Sequence, residues 1–81
     1  MRITGVLRGM GREVSCEVVA WKESSSTGRV YTRCRIGDEA PDLPDGSYAL
    51  CIGGYQVMTR KWEGRWLLRY LPNEIRLEEV A

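Results

Sequence analysis

Arginine and tryptophan recur after Met58, up to position 69, and these side chains could bind an anion or a protein surface. The candidate binding residues are Met58, Arg60, Trp62, Arg65, Leu67 and Arg69. Guanidinium groups pair well with phosphates, and arginine with aromatic side chains is common where small β domains hold single-stranded nucleic acid. The same mixture of Met, Arg and aromatic residues is typical of protein interfaces. The residue types therefore indicate a binding surface with two possible classes of partner.

Catalytic chemistry is poorly supported by the composition. The chain contains no histidine, so it lacks the commonest general base at neutral pH and the commonest zinc ligand. Its cysteines, Cys16, Cys34 and Cys51, are too widely spaced for a C-x-x-C metal site and odd in number for a disulfide scaffold, so we expect reduced, buried thiols. We predict no catalytic residues, no metal site, no cofactor and no enzymatic activity.

Two further segments could carry chemistry but favour structural roles. The segment from Gly9 to Arg12 lacks the third glycine and the Lys-Ser/Thr ending of a phosphate-binding loop, and it is typical of a hairpin turn. A calcium-binding loop could be built from four acidic residues, Asp38, Glu39, Asp42 and Asp45. Their spacing does not match an EF-hand and prolines interrupt it, so we expect a solvated connection.

Charge and hydropathy narrow the range of partners. Twelve Lys and Arg residues oppose eleven Asp and Glu residues, and the formal net charge is +1. This balance argues against electrostatic capture of nucleic acid by the molecule as a whole, although a local basic patch remains possible. The sequence has no apolar run of membrane-spanning length and no signal-peptide pattern, so we expect a cytoplasmic protein with no membrane partner.

The N-terminal part of the chain predicts a three-stranded antiparallel meander. A two-residue turn at Met10-Gly11 places Leu7 opposite Val14 on an apolar face. The same register places Arg8 opposite Glu13 on the other face. This separation of apolar from charged side chains is expected of a half-buried antiparallel pair.

The third strand of this meander begins at Arg29, after a polar loop over residues 22–28. Matching its apolar face to that of the second strand places Cys34 opposite Cys16. The outer face of the third strand then carries a second basic set: Arg29, Tyr31, Arg33 and Arg35. We expect Glu13 and Glu17 to neutralise this set across the strands.

Residues 43–71 predict three further strands, separated by turns at Gly53-Gly54 and Glu63-Gly64. Alternation assigns one face to the core: Tyr48, Leu50, Ile52, Tyr55, Val57, Thr59, Trp66, Leu68 and Tyr70. The opposite face holds the candidate binding residues together with Ala49, Cys51, Gln56 and Leu71. Because this second face is partly apolar, we expect the tail to cover some of it, with Ile75 and Leu77 in a short strand rather than a helix.

These patterns predict an all-β fold, a small sandwich or partly closed barrel of two three-stranded antiparallel meanders, with a short seventh C-terminal strand as a further option. A closed barrel and two crossed sheets both fit. We assign residues 1–81 to a single all-β domain. Its parts are a meander over 1–36, a connecting loop over 37–46, a meander over 47–71 and a tail over 72–81.

The favoured function is a small non-catalytic protein-interaction module that uses the outer face of strands 55–71 and binds a protein partner or a further copy of itself. The alternative is single-stranded nucleic-acid or phosphate-ligand binding through the Arg/Trp face. An enzyme is the third and least favoured class.

Overall fold

The computed structural model describes residues 1–37 and 42–80. Seven antiparallel strands form one sheet that curls into a half-barrel, which confirms the predicted all-β class and takes the form of the partly closed barrel. The elements are β1 (Arg2–Gly9), β2 (Arg12–Ser24), β3 (Val30–Ile36), β4 (Gly46–Ile52), β5 (Tyr55–Trp62), β6 (Arg65–Trp66), β7 (Tyr70–Leu71) and α1 (Leu77–Val80). The strand order across the sheet is β6-β5-β4-β1-β2-β3-β7.

The three predicted hairpin turns are all present. Met10-Gly11, Gly53-Gly54 and Glu63-Gly64 each have positive φ at both residues, between 51° and 89°. Such turns match the right-handed twist of the strands that they connect, and glycine adopts this backbone conformation without steric cost. The turns therefore set the registers of β1 with β2, β4 with β5, and β5 with β6, and all three registers are as predicted.

A pairing between β1 and β4 joins the two meanders into one sheet. Leu7 lies opposite Leu50 in this pair, and both side chains are fully buried. The core cluster around them is Ile3, Leu7, Cys16, Val18, Ala20, Cys34, Ile36, Leu43, Tyr48, Leu50, Ile52, Leu71, Ile75 and Leu77.

The predicted register between β2 and β3 is wrong by four residues. Cys34 lies opposite Ala20, and Cys16 lies opposite Gly5 of β1. The cause is the length of β2, which continues to Ser24. The chain therefore turns back towards β3 later than predicted, in a turn closed by a backbone hydrogen bond of 2.8 Å from the Ser25 N–H to the Arg29 carbonyl. Because four is an even number, the inward and outward faces of β3 are unchanged, and Cys34 is still buried.

The predicted sixth strand is broken into two short pieces. β6 ends at Trp66, and the chain then crosses through residues 67–69 to β7, which pairs with β3 at the other end of the strand order. Two hydrogen bonds of 2.9 Å fix this crossing, one from the Leu67 N–H to the Arg60 carbonyl and one from the Cys34 N–H to the Arg69 carbonyl. The crossing residues 67–69 therefore tie the two edges of the curled sheet together.

Side-chain alternation changes phase across this break. Tyr70, predicted to face the core, is 53% exposed, and Leu71, predicted to face outward, is 4% exposed. The reason is that residues 67–69 are not part of a strand, so the two-residue period of β6 does not continue into β7.

The tail forms a helix, so the predicted C-terminal strand is wrong. The Ile75 N–H donates to the Pro72 carbonyl at 3.1 Å, and this turn ends the extended chain before α1. Ile75 and Leu77 join the core cluster, and Val80 lies beside the β4–β5 turn at Gly53. In the described part of the chain, no helix has the length and apolar character needed to cross a membrane.

Candidate binding surfaces

The curled sheet brings four of the six candidate residues to one groove. Met58 and Arg60 of β5 face Leu67 and Arg69 of the crossing segment, and Tyr70 completes the lining. This groove, the β5 groove, has a volume of about 550 Å³. Other residues that line it are Ser47, Thr59 and Leu68.

The other two candidate residues lie elsewhere. Arg65 lines a second cleft, described below, which Arg69 also reaches. Trp62 lines neither depression, and its ring centroid is 4.9 Å from the Cζ atom of Arg60. The guanidinium of Arg60 therefore rests on the indole of Trp62, a contact that orients both side chains at the surface.

Large apolar side chains are exposed around the β5 groove. Met58 is 66% exposed, Tyr70 53%, Trp62 50% and Leu67 49%. The prediction that the tail covers this face is wrong, because Ile75 and Leu77 are buried in the core cluster. A small surface with four such residues is typical of a contact site for another molecule.

The backbone edge of β5 is open beside this groove. Because the Arg60 carbonyl accepts its hydrogen bond from Leu67, the N–H and C=O groups of even-numbered residues in β5 point away from β4. Among the described strands, none pairs with this edge between Tyr55 and Thr59, since β6 reaches only Lys61 and Trp62. The outward backbone groups of Gln56 and Met58 are therefore available to a further strand.

A basic cleft lies where the curl brings β3 close to β5 and β6. Its described lining includes five cationic residues: Arg33, Arg35, Lys61, Arg65 and Arg69. Asp42 is the one acidic residue among the lining residues that the structure describes, and Trp21 and Trp66 add aromatic surface. The volume is about 590 Å³. The sequence suggested two separate basic sets, and the curl of the sheet places members of both in one cleft.

Arg33 is held in place by aromatic rings and a carboxylate. Its Cζ atom is 5.9 Å from the ring centroid of Trp21 and 5.6 Å from that of Tyr70. Its Nη1 atom is 3.6 Å from Oε2 of Glu23. The predicted neutralisation by Glu13 and Glu17 is wrong, because the four-residue shift places Trp21 opposite Arg33. Glu17 pairs with Arg2 at 3.6 Å, and Glu13 pairs with Arg8 at 3.0 Å.

Glu23 accepts two further hydrogen bonds. The indole N–H of Trp21 donates to its carboxylate at 2.8 Å, and the Tyr31 hydroxyl donates at 3.2 Å. The bond from Trp21 is the main cause that holds the pKa of Glu23 below its ordinary value. Desolvation, followed by the bond to Glu23, raises the pKa of Tyr31. This cluster fixes the wall of the cleft formed by β2 and β3.

Lys61 lines the basic cleft and was not among the residues that the sequence singled out. It is only 6% exposed, its Nζ atom donates to the Leu43 carbonyl at 2.8 Å, and it lies 3.5 Å from Oδ1 of Asp42. The same atom is 5.5 Å from the ring centroid of Trp66. Side-chain alternation along β5 puts position 61 on the inward face together with Thr59. Lysine is rarely buried, so a lysine at an inward position was the signal that could have identified Lys61 from the sequence.

Part of the acidic loop has a structural role. Asp45 accepts backbone hydrogen bonds from Glu63 at 2.8 Å and Gly64 at 3.3 Å, so it fixes the β5–β6 turn. Asp38 and Glu39, the other half of the possible calcium-binding set, lie outside the described residues. Over residues 1–37 and 42–80, no three His, Cys, Asp or Glu side chains are grouped as metal ligands would be.

The three cysteines are free thiols with different exposure. Cys16 and Cys34 are buried, whereas Cys51 is half-buried. Burial raises the pKa of Cys16, and it raises the pKa of Cys34 to about 11. Burial therefore disfavours the thiolate form of both thiols.

Comparison with known proteins gives no match to a family model, to a curated protein or to a solved structure.

Proposed function

We propose that this protein is a non-catalytic interaction module and that its outer face binds a second copy of the same chain through the open edge of β5. The observation that carries the proposal is the outward backbone of Gln56 and Met58, with which no described strand pairs, next to exposed apolar side chains. An open edge of this kind readily pairs with another strand, and natural proteins usually cover or charge it.

The edge is complementary to itself. In an antiparallel pair related by a two-fold axis at Val57, Gln56 of one copy faces Met58 of the other, and Tyr55 faces Thr59. Two such pairs would add four backbone hydrogen bonds, each contributing about 0.5–1.5 kcal/mol net. No charged residue lies between Tyr55 and Thr59, so the pairing brings no like charges into contact.

Side chains beside the edge supply apolar contact. The side chain of Met58 is 66% exposed on the outer face of β5, and Leu67 and Tyr70 lie across the β5 groove from it. A partner strand laid along β5 would cover part of this surface and remove it from water. Association would then gain both backbone hydrogen bonds and apolar burial, as in other cases of strand addition.

The test is the mass of the protein in solution as a function of concentration, measured by sedimentation equilibrium. We expect the wild type to move from one chain mass towards two over the micromolar range. Met58→Pro removes the outward N–H without taking a donor from the β4–β5 ladder, so it should stay folded and become monomeric. Met58→Leu keeps both the N–H and the apolar side chain and should still dimerise.

Two controls separate loss of association from loss of structure. Near-ultraviolet circular dichroism reports whether the proline variant keeps its packed core, and Gln56→Pro offers a second way to remove an outward donor if the first variant unfolds. A wild type that stays at one chain mass at every concentration would overturn the proposal. So would a folded Met58→Pro variant that dimerises as strongly as the wild type.

A further inference from the structure

We propose that the basic cleft binds a nucleotide, either free or as one link of a single strand, through its phosphate. The proposal does not depend on self-association, because its evidence lies in a different set of residues. The cleft shares Leu68 and Arg69 with the β5 groove. Its other described lining residues lie in β2, β3, β5 and β6, in the β5–β6 turn at Gly64, and at the loop positions Gly37 and Asp42.

Two guanidinium groups in the cleft are available to an anion. Arg65 and Arg69 both line it, and neither forms an ion pair with a described residue. By contrast, Arg33 is paired with Glu23, and Lys61 is paired with Asp42. Arg65 of β6 and Arg69 of the crossing segment therefore supply positive charge that the described carboxylates do not balance, and their planar donors match phosphate oxygens.

The cleft is built from fixed parts. Lys61 is held by the Leu43 carbonyl, and Arg33 is held between Trp21 and Tyr70. Arg65 lies in β6, which pairs with β5, and the crossing segment that carries Arg69 is tied to β5 at Leu67 and to β3 at Arg69 by backbone hydrogen bonds. These fixed side chains and backbone segments lower the cost of ordering the cleft around an anion, and the remaining ordering is that of the Arg65 and Arg69 side chains.

Size and aromatic lining favour a nucleotide over a bare phosphate ion. A volume of about 590 Å³ lies within the usual range for small-molecule sites, and a phosphate alone would leave most of it empty. Trp21 and Trp66 both belong to the lining and are half-buried, with Arg33 near the ring of Trp21 and Lys61 near that of Trp66. Aromatic rings beside a cationic wall are the combination on which bases stack while their phosphates are held.

The experiment titrates the protein at low ionic strength with ATP, with an oligothymidylate and with inorganic phosphate, and follows tryptophan fluorescence. We expect ATP, the oligonucleotide or both to change the emission, because Trp21 and Trp66 line the cleft. Binding of ATP with no advantage for the oligonucleotide identifies a free nucleotide. Binding of the oligonucleotide alone identifies a single strand. Binding of inorganic phosphate alone, or of none of the three, overturns the proposal.

Charge-reversal variants locate the site. Arg65→Glu and Arg69→Glu should each weaken binding at least tenfold. Arg12→Glu changes the net charge by the same amount at an exposed position outside the cleft, so it should have a much smaller effect. Equal weakening by all three variants would show a general charge effect and would contradict a site in the cleft.

Because few phosphates are contacted, the salt dependence should be shallow, with a slope of roughly −0.7 per phosphate contact for a single strand.

Discussion

The ammonium group of Lys61 donates a hydrogen bond to the carbonyl oxygen of Leu43, 2.8 Å away, at a position where the lysine is only 6% exposed. This contact links the segment before β4 to strand β5. We predict that Lys61→Met, which keeps the aliphatic stem but removes the donor, lowers the free energy of unfolding by about 1–3 kcal/mol, because a buried carbonyl loses its partner. Urea denaturation measures the change.

Arg12→Met is the matched control for this prediction. Arg12 is exposed beside the β1–β2 turn, so its replacement should change stability by no more than about 0.5 kcal/mol. If Lys61→Met were as stable as the wild type, the Leu43 contact would not hold the segment before β4.

Short turns explain which strand registers could be predicted from the sequence. Three registers are correct because a two-residue turn leaves no freedom in the pairing of the strands that it joins. The connection from β2 to β3 is longer and polar, so the sequence determined only which side chains face the core. Cys34 is therefore on the predicted face but opposite the wrong residue.

The candidate site could be predicted only in part, for a different reason. Alternation along β5 correctly placed Met58, Arg60 and Trp62 on the outer face. The basic cleft depends on contact between distant parts of the sequence, since β3 and β6 approach only after the sheet has curled. No local sequence pattern predicts that β3 and β6 come close together. Nor does one predict the break in side-chain alternation between Leu68 and Leu71.

The corrected β2–β3 register predicts a new disulfide bond. Ala20 and Cys34 form a non-hydrogen-bonded pair, because the Ala20 N–H donates to Met1 and the Cys34 N–H donates to Arg69. The Cα atoms of such pairs are roughly 4.5 Å apart, which is close enough for a disulfide. We expect Ala20→Cys to form a bond with Cys34 under mild oxidation, seen as a linked peptide pair by mass spectrometry without reductant.

The wild type is the control for the disulfide prediction. It contains Cys16 and Cys34, the pair that the sequence alone placed opposite each other, and we expect no bond between them under the same oxidation. A linked Cys16–Cys34 peptide pair from the folded wild type would contradict the observed register.

Thiol exposure predicts a stepwise reaction with a thiol reagent such as Ellman's reagent. Burial raises the pKa of Cys16, and it raises the pKa of Cys34 to about 11, so burial disfavours thiolate formation at both and also shields both from the reagent. Cys51 is half-buried and should react first. We expect one thiol per chain to react in the folded protein and all three in denaturant. Cys51→Ser should abolish the reaction of the folded protein, and a rapid reaction that survives this change would contradict the assignment.

The carboxylate of Glu23 predicts a dependence of stability on acid pH. The indole N–H of Trp21 is the main cause that lowers its pKa from the ordinary value of 4.5 in the folded protein. A lowered pKa means that Glu23 stabilises the fold above that ordinary value, and that this contribution is lost as the pH falls through the folded-state pKa. Glu23→Gln cannot ionise, so the urea midpoints of wild type and variant should differ most near neutral pH and converge in acid.

Glu74→Gln removes an exposed carboxylate and should leave the wild-type pH profile unchanged. A difference between wild type and Glu23→Gln that stays constant down to strongly acid pH would show that the hydrogen bond from Trp21 does not favour the ionised carboxylate.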